Sequence, residues 1–121
     1  MSKKIIHTTA APGAIGPYSQ AIQTGNLLFV SGQIPINPAT NELVMDNIQD
    51  ETKQVMENLK AVLSAANVGF ENIVKTTIFL SDMSLFAAVN EIYGSYFTGD
   101  YPARETVAVK GLPKGVNVEI S

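Results

Sequence analysis

The sequence has 121 residues, 45% of them hydrophobic, and a formal net charge of −3 at pH 7. It contains no cysteine and a single histidine, His7, which excludes disulfides, thiolate chemistry and metal sites built from cysteines or several histidines. The negative charge argues against nucleic acid as a partner, and apolar runs of about four residues are too short to span a membrane. We therefore expect one domain over residues 1–121, cytoplasmic and without a secretory signal.

Three strands are predicted before the first helix. Residues 4–8 predict a short strand, and residues 11–19 contain two prolines and two glycines, which indicates a loop. The pair Gly25-Asn26 separates two β-rich runs and predicts a hairpin over residues 21–33. Residues 34–43 are rich in turn-forming residues, and we predict no strand there.

Apolar residues recur at steps of three and four from Ile48 to Ala66, which predicts an amphipathic helix. Asp50 and Glu51 lie in its first turn, where the helix dipole favours acidic side chains, and Asn67 and Gly69 are expected to end it.

The second half of the chain predicts a strand over residues 72–82, then a helix capped by Asp82 or Ser84 with an apolar stripe from Leu85 to Phe97. Residues 103–111 and 115–121 read as two last strands. The predicted order is β-β-β-α-β-α-β-β, an α+β domain with a mixed sheet of about six strands and both helices on one face.

The alternation in the last two strands predicts one apolar sheet face, formed by Val107, Val109, Val116, Val118 and Ile120. The opposite face is mixed and includes Phe29 and Phe79. Two helices cannot cover both faces, and only 16% of the residues are charged. We therefore expect the second face to contact another subunit.

Arg104 and Glu119 are ionisable residues at unusual positions, because Arg104 opens a predicted strand and Glu119 lies within the last one. By the period of two, Arg104 shares a face with Thr106, and Glu119 points away from the valines of its strand. If the two strands belong to one sheet, these three side chains could face one cavity. An arginine can grip a carboxylate with two hydrogen bonds, and a glutamate can deprotonate a water. Alternatively, Arg104 pairs with Glu105, with Glu119 or with an acid of another subunit, and has only a structural role.

Six segments follow one another along the chain: AIGPYSQA (14–21), SGQIP (31–35), VKTTIFLSDM (74–83), FAAVNEIYGSYF (86–97), PAR (102–104) and LPKGVNVEI (112–120). Together they closely resemble the YjgF/RidA family of reactive-intermediate deaminases, also labelled the L-PSP endoribonuclease family. The resemblance covers nearly the whole chain.

This resemblance implies a chorismate-mutase-like domain of the bacillary type. It also implies a homotrimer whose sheets form a central barrel, with helices outside and clefts between neighbouring subunits. The implied activity is hydrolysis of 2-imino acids or their enamines, such as 2-iminobutanoate and 2-iminopropanoate, to 2-oxo acids and ammonia without a cofactor or metal.

The resemblance also implies roles for individual residues. Arg104 matches the family's carboxylate-binding arginine and Glu119 its water-positioning glutamate. The other matching cleft residues, implied to bind substrate, are Tyr18, Ser31, Gly32, Asn90 and Thr106.

Two positions depart from the family pattern. Many deaminase members have cysteine at the position of Thr106, and we expect activity to survive because the mechanism needs no covalent nucleophile. Family members usually continue the last strand for several residues past the position of Ser121, so this sequence resembles a shortened copy.

Two other functions remain open from the sequence. One is a non-enzymatic module that senses a small carboxylate in the same cleft, since fold does not determine activity. The other, ranked lower, is endoribonuclease activity or translation inhibition, which a single histidine and a negative net charge disfavour.

Overall fold

Eight short strands and two helices follow one another in a computed structural model, which describes residues 2–121. Their bounds are β1 Lys4–Ile6, β2 Ala21–Thr24, β3 Leu27–Val30, β4 Ile36–Asn37, β5 Glu42–Leu43, α1 Ile48–Ala65, β6 Lys75–Leu80, α2 Phe86–Gly94, β7 Ala103–Ala108 and β8 Val118–Ile120. The α+β class is confirmed, and the strand pair β4–β5 is the element that the sequence pattern did not predict.

Helix α1 lies within one residue of its predicted bounds. Asn47 caps its N-terminus, because the Asn47 side-chain oxygen accepts a hydrogen bond from the backbone N–H of Asp50 at 2.8 Å. The helix ends before Asn67, whose φ of 61° is left-handed. Gly69 has extended backbone and begins the next 3₁₀ turn, so it takes no part in ending α1.

Helix α2 is shorter than predicted. The side chain of Asp82 accepts a hydrogen bond from the N–H of Ser84 at 2.8 Å and caps a 3₁₀ turn that leads into the helix. The helix ends at Gly94, so Tyr96 and Phe97 lie beyond it, although both still pack against the core.

Six of the strands form two groups of three, in the orders β1-β2-β3 and β7-β6-β8. A single antiparallel bridge between Gln33 and Ile120 connects the groups. Strand β6 runs parallel to β7 and antiparallel to β8, which makes the sheet mixed, as predicted.

Both helices pack on the same side of the strands. The main core cluster joins both helices to β6 and β8 and consists of Val55, Met56, Leu59, Ile78, Leu80, Val89, Tyr93, Val118 and Ile120. A smaller cluster joins α1 to β1 and β2 through Ile6, Ala11, Ala21 and Val62. Each fully buried aliphatic side chain stabilises the fold by roughly 1.5–3 kcal/mol.

The predicted apolar face of the last two strands is wrong for β7. Val107 pairs in register with Phe79, which also pairs with Glu119, so Val107 shares the face of Glu119 and is 43% exposed. Val118 lies on the opposite, helix-covered face. The reason is that β6 lies between β7 and β8 and pairs with both. Ile78 of β6 pairs with Thr106 on one side and with Ile120 on the other, so Thr106, and not Val107, shares the helix-covered face with Ile120.

The sheet face opposite the helices, called here the open face, is uncovered in a single chain. Ile5 and Phe29 of the first strand group lie on it with exposed fractions of 53% and 59%, and Leu27 is 57% exposed. Val107 and the partly exposed Phe79 continue it on the second group. Neither helix within residues 2–121 is long and apolar enough to cross a membrane.

Candidate functional site

The residues predicted to form the site divide between the two faces of the sheet. Arg104 and Thr106 of β7 pair in register with Thr76 and Ile78, whose side chains are buried under the helices. Glu119 pairs with Phe79, on the open face. The expectation that Arg104, Thr106 and Glu119 face one cavity is therefore wrong within one protomer. The faces of β7 and β8 are related through their pairing with the intervening strand β6. The spacing of residues within β7 and β8 alone could not predict that relation.

Arg104 lies at a cavity of about 420 Å³, called here the arginine cavity. Its lining residues are Asn90, Tyr93, Gly94, Tyr101, Pro102 and Arg104. The Nη1 atom of Arg104 donates a hydrogen bond to Oδ1 of Asn90 at 2.7 Å. The guanidinium also lies 5.1 Å from the ring centre of Tyr93 and 5.5 Å from that of Phe86, distances typical of cation–π contacts. These three contacts from α2 fix the orientation of the guanidinium plane.

The acidic residues proposed as structural partners of Arg104 do not contact it. Glu105 forms an ion pair with Lys75, with a separation of 3.3 Å, and Glu119 lies on the other face. Within residues 2–121, no carboxylate lies within ion-pair distance of the Arg104 guanidinium. Its remaining N–H donors are therefore free to bind an anion in the cavity.

Thr106 lies two residues further along the same face of β7. Its hydroxyl oxygen is buried and has no hydrogen-bond partner within the described part of the chain. Buried hydroxyl groups are normally paired, so this one is available to a water, a ligand or another protomer.

Glu119 lies at a second cavity of about 480 Å³, called here the glutamate cavity. Tyr18, Ser31 and Gly32 also line it, together with residues 12, 13 and 15 and the turn at 113–114. Burial raises the pKa of the Glu119 carboxyl above its ordinary value of 4.5. Among residues 2–121 no cation or hydrogen-bond donor contacts this carboxylate. A half-buried carboxylate with a raised pKa is a suitable proton acceptor for water.

Gly32 allows the Glu119 carboxylate to reach its position. A Cβ atom at residue 32 would overlap with an oxygen of that carboxylate and would lie 2.9 Å from its Cδ atom. Beside it, the hydroxyl of Ser31 donates a hydrogen bond to the carbonyl oxygen of Ser19 at 2.6 Å. This bond positions the loop that carries Tyr18, whose side chain is 53% exposed.

Two buried polar residues that the sequence analysis did not select as site residues hydrogen-bond to segments that line or adjoin the glutamate cavity. The side chain of Gln20 accepts a hydrogen bond from the N–H of Thr8 at 2.7 Å and donates to the carbonyl oxygen of Pro12 at 2.8 Å. The carboxylate of Glu51 accepts hydrogen bonds from the backbone N–H of Asn117 at 2.6 Å and from its amide at 3.0 Å. Gln20 could have been found from the sequence, because it lies within the motif AIGPYSQA. Glu51 could not, because an acid in the first turn of a helix is normally exposed.

No group of three or more acidic or histidine side chains in residues 2–121 is close enough to hold one metal ion. The polar side chains that line the two cavities carry a guanidinium, a carboxylate, an ammonium group, amides and hydroxyl groups.

Comparisons with known proteins reveal relatives that are similar to this chain over nearly its whole length. Protein DfrA of Myxococcus xanthus is 55% identical over 122 aligned residues, which cover 99% of this chain and 93% of that protein. The 2-iminobutanoate/2-iminopropanoate deaminase of Mus musculus is 48% identical over 118 residues, covering 98% and 87%. The solved structure of E. coli TdcF with bound serine superposes with a TM-score of 0.93 at 44% identity, covering 97% and 94%.

The structure of the YjgF gene product from E. coli superposes with a TM-score of 0.92 at 44% identity, again covering 97% of this chain and 94% of that one. The sequence profile described as endoribonuclease L-PSP matches residues 8–121. The chain therefore belongs to the endoribonuclease L-PSP family, the YjgF/RidA family that its motifs resemble.

Proposed function

We propose that this protein hydrolyses small 2-imino acids, or their enamine forms, to 2-oxo acids and ammonia, with 2-iminobutanoate and 2-iminopropanoate as substrates. The observation that carries this proposal is a pair of charged groups without an ion-pair partner within residues 2–121, the Arg104 guanidinium and the half-buried Glu119 carboxylate. Family members from Mus musculus and Homo sapiens, 48% and 45% identical to this chain, are named for this reaction.

Arg104 binds the substrate carboxylate. Its contacts with Asn90, Tyr93 and Phe86 hold the guanidinium plane in place, so two parallel N–H donors can meet the two carboxylate oxygens. Each charge-assisted hydrogen bond contributes roughly 1.5–3 kcal/mol.

Glu119 holds and activates the water. The carboxylate accepts a proton from the water while the water oxygen attacks the C=N carbon, and the imine nitrogen takes up a proton from solvent. In the resulting carbinolamine the protonated Glu119 carboxyl gives its proton to the nitrogen, and the C–N bond breaks to release ammonia. The hydroxyl group loses its proton to solvent as the C=O bond forms, which returns Glu119 to its carboxylate form. Because small imines already hydrolyse in water, orientation of the two reactants supplies most of the required acceleration, and no cofactor or metal is needed.

The two cavities must belong to neighbouring protomers for this mechanism to operate. Arg104 and Glu119 lie on opposite faces of one sheet, so they cannot both contact one small acid in a single chain. We therefore propose a homotrimer with a chorismate-mutase-like arrangement, in which the open faces meet as a central barrel. Ile5, Leu27 and Phe29 would then be buried, which explains their exposure in one chain.

The bound serine in TdcF supports a ligand of amino-acid size, and equally supports a module that binds a small acid without turnover. The two functions are separated by generating 2-iminobutanoate in situ from threonine with a dehydratase and following its loss against competing semicarbazide. We expect the protein to accelerate 2-oxobutanoate formation and to reduce semicarbazone. If 2-oxobutanoate raises the Tm of the protein but the protein does not accelerate imine hydrolysis, the protein is a sensor. RNA cleavage that requires Arg104 would indicate a nuclease.

A further inference from the structure

Glu51 is a buried acid that lines neither of the two cavities described above. Its side chain, in the first turn of α1, is 1% exposed, and both of its carboxylate oxygens accept hydrogen bonds from one distant residue, Asn117. No basic side chain within residues 2–121 forms an ion pair with it. Burial of a carboxylate is unfavourable, and an apolar side chain would fill the same space without that penalty. The contact with Asn117 is therefore what Glu51 adds to the fold beyond packing.

Asn117 lies one residue before β8, and each of its polar groups forms a hydrogen bond. Its backbone N–H donates to Oε2 of Glu51 at 2.6 Å, and its amide nitrogen donates to Oε1 at 3.0 Å. Its carbonyl oxygen accepts from the backbone N–H of Ser81 at 3.0 Å, and its amide oxygen accepts from the Ser81 hydroxyl at 2.8 Å. Four hydrogen bonds thus fix Asn117 between α1 and the residue that follows β6.

The hydrogen bond to Glu51 also ends the β6–β8 ladder. In an antiparallel ladder, two residues of a hydrogen-bonded pair exchange two backbone hydrogen bonds, as Thr77 and Ser121 do here at 2.9 and 3.1 Å. Ser81 and Asn117 form only one, because the N–H of Asn117 donates to Glu51 instead. Glu51 therefore sets the point at which the chain enters β8.

The anchored residue lies between two parts of the glutamate cavity. Glu119 follows Asn117 by two residues, and Lys114, in the turn that lines this cavity, precedes it by three. Lys114 has a left-handed φ of 58°, a conformation that persists where the surrounding structure holds the chain. The Glu119 carboxylate packs so closely against Gly32 that a Cβ atom there would overlap with it. A small movement of β8 would therefore displace the carboxylate.

We propose that Glu51 is a positioning residue, whose hydrogen bonds to Asn117 hold the start of β8 and thereby keep the Glu119 carboxylate in place to act on water. This inference rests on the role proposed above for Glu119 in imine hydrolysis. Glu51 acts only through Asn117. Loss of its hydrogen bonds leaves the arginine cavity unchanged but lets the entry to β8 move, so that the water is held in a poorer orientation.

Glu51→Gln is the first test, because glutamine has the same shape but only one acceptor oxygen for the two Asn117 donors. We expect kcat for 2-iminobutanoate to fall by about 10-fold, with KM within about twofold, since only the orientation of the water is impaired. In a carboxyl NMR titration, the Glu119 pKa, which burial raises, should move towards its ordinary value of 4.5. Glu57→Gln is the matched control and should change neither quantity, because this exposed acid of α1 accepts a hydrogen bond from Tyr96.

The titration does not depend on turnover, so the two proposals can fail separately. Absence of imine hydrolysis by the unmodified protein would contradict the proposed function. An unchanged Glu119 pKa in folded Glu51→Gln would overturn the positioning role, and so would an unchanged kcat where the unmodified protein is active.

The double variant Glu51→Gln with Asn117→Asp separates positioning from a general loss of stability. The new amide at position 51 can donate to the new carboxylate at position 117, the backbone N–H at 117 keeps an acceptor, and the Ser81 hydroxyl still donates. We expect kcat to recover to within about threefold of the unmodified protein, and the Glu119 pKa to return to its raised value. Asn117→Asp alone brings two carboxylates together and should be as impaired as Glu51→Gln. A double variant that is folded but no better than either single variant would overturn the proposal.

Discussion

The arginine cavity and the glutamate cavity are similar in volume but differ in how their charged groups are held. Arg104 is exposed, and its orientation comes from side chains of α2, namely one hydrogen bond and two aromatic rings. Glu119 is half-buried and has no side-chain partner within residues 2–121; its position comes from the backbone of β8 and from the missing side chain at Gly32. The guanidinium in the arginine cavity is therefore oriented by its neighbours, whereas burial in the glutamate cavity raises the pKa of its carboxyl.

The largest expected effect is at Arg104. Replacement by alanine removes two charge-assisted hydrogen bonds to the substrate, so kcat/KM should fall by about 100-fold or more. The Tm should change little, because the side chain is exposed. Arg104→Lys keeps the charge but loses the planar pair of donors and should also be poorly active. Lys53→Ala, at an exposed position of α1, is the matched control and should keep full activity. Full activity of Arg104→Ala would show that the arginine is structural.

Glu119→Gln should reduce kcat by about 100-fold, because the amide cannot accept a proton from water. In the unmodified protein, kcat/KM should fall as the pH decreases through a pKa above 4.5, since the protonated carboxyl is inactive. That limb of the pH profile should disappear in the variant. Glu42→Gln, at an exposed position in β5, should leave the profile unchanged. A pH profile that is identical in Glu119→Gln would assign the limb to another group.

The same raised pKa predicts a pH dependence of stability with the opposite sign. Folding raises the Glu119 pKa, so the folded state favours the protonated carboxyl. The stabilisation is fully present below the pKa of the unfolded chain and is lost as the pH rises through the folded pKa. Urea unfolding should therefore show that, as the pH rises from 4 to 7, the free energy of unfolding falls more steeply in the unmodified protein than in Glu119→Gln. Equal slopes in the two proteins would contradict the assigned burial.

Gly32→Ala tests how the glutamate cavity positions its charge. The added Cβ overlaps with the Glu119 carboxylate, which must move. Displacement of a reacting group should lower kcat by about 10-fold. Gly111→Ala is the matched control, because a Cβ there meets no atom within 4 Å. Steady-state kinetics of the two variants separate this effect from a general response to alanine, and equal rates would contradict it.

The smallest expected effect is at Asn90, whose side-chain oxygen accepts the hydrogen bond that orients the Arg104 guanidinium. Asn90→Ala removes one hydrogen bond of about 1 kcal/mol, so KM should rise by about fivefold with little change in kcat. Glu91→Ala, at the exposed neighbouring position on α2, should leave both constants unchanged. A loss of kcat larger than the change in KM would show that Asn90 contacts the reacting atoms.

Local patterns in the sequence predicted most elements, because local physics determines them. Helix α1 follows from its apolar periodicity, and the β2–β3 hairpin from Gly25-Asn26, where Gly25 has a φ of 57°. The end of α2 was predicted three residues too far, because Tyr96 and Phe97 continue the apolar stripe after the helix has stopped.

Long-range pairing explains what the sequence could not predict. The period of two correctly separated Glu119 from Val118 and joined Arg104 to Thr106, but it could not relate one strand to the other. That relation depends on β6, which lies between β7 and β8 in the sheet although it precedes both in the chain. Glu51 was missed for a similar reason, since its partner Asn117 is distant in sequence.

The central claim is that one catalytic cleft takes Arg104 from one protomer and Glu119 from its neighbour. Mixing inactive Arg104→Ala with inactive Glu119→Gln, after dissociation and reassembly, tests this most directly. Random reassembly at equal amounts should restore about a quarter of the clefts, and imine hydrolysis should recover accordingly. If reassembled mixtures stay as inactive as either variant alone, both residues act within one protomer or do not act together, and the account is contradicted.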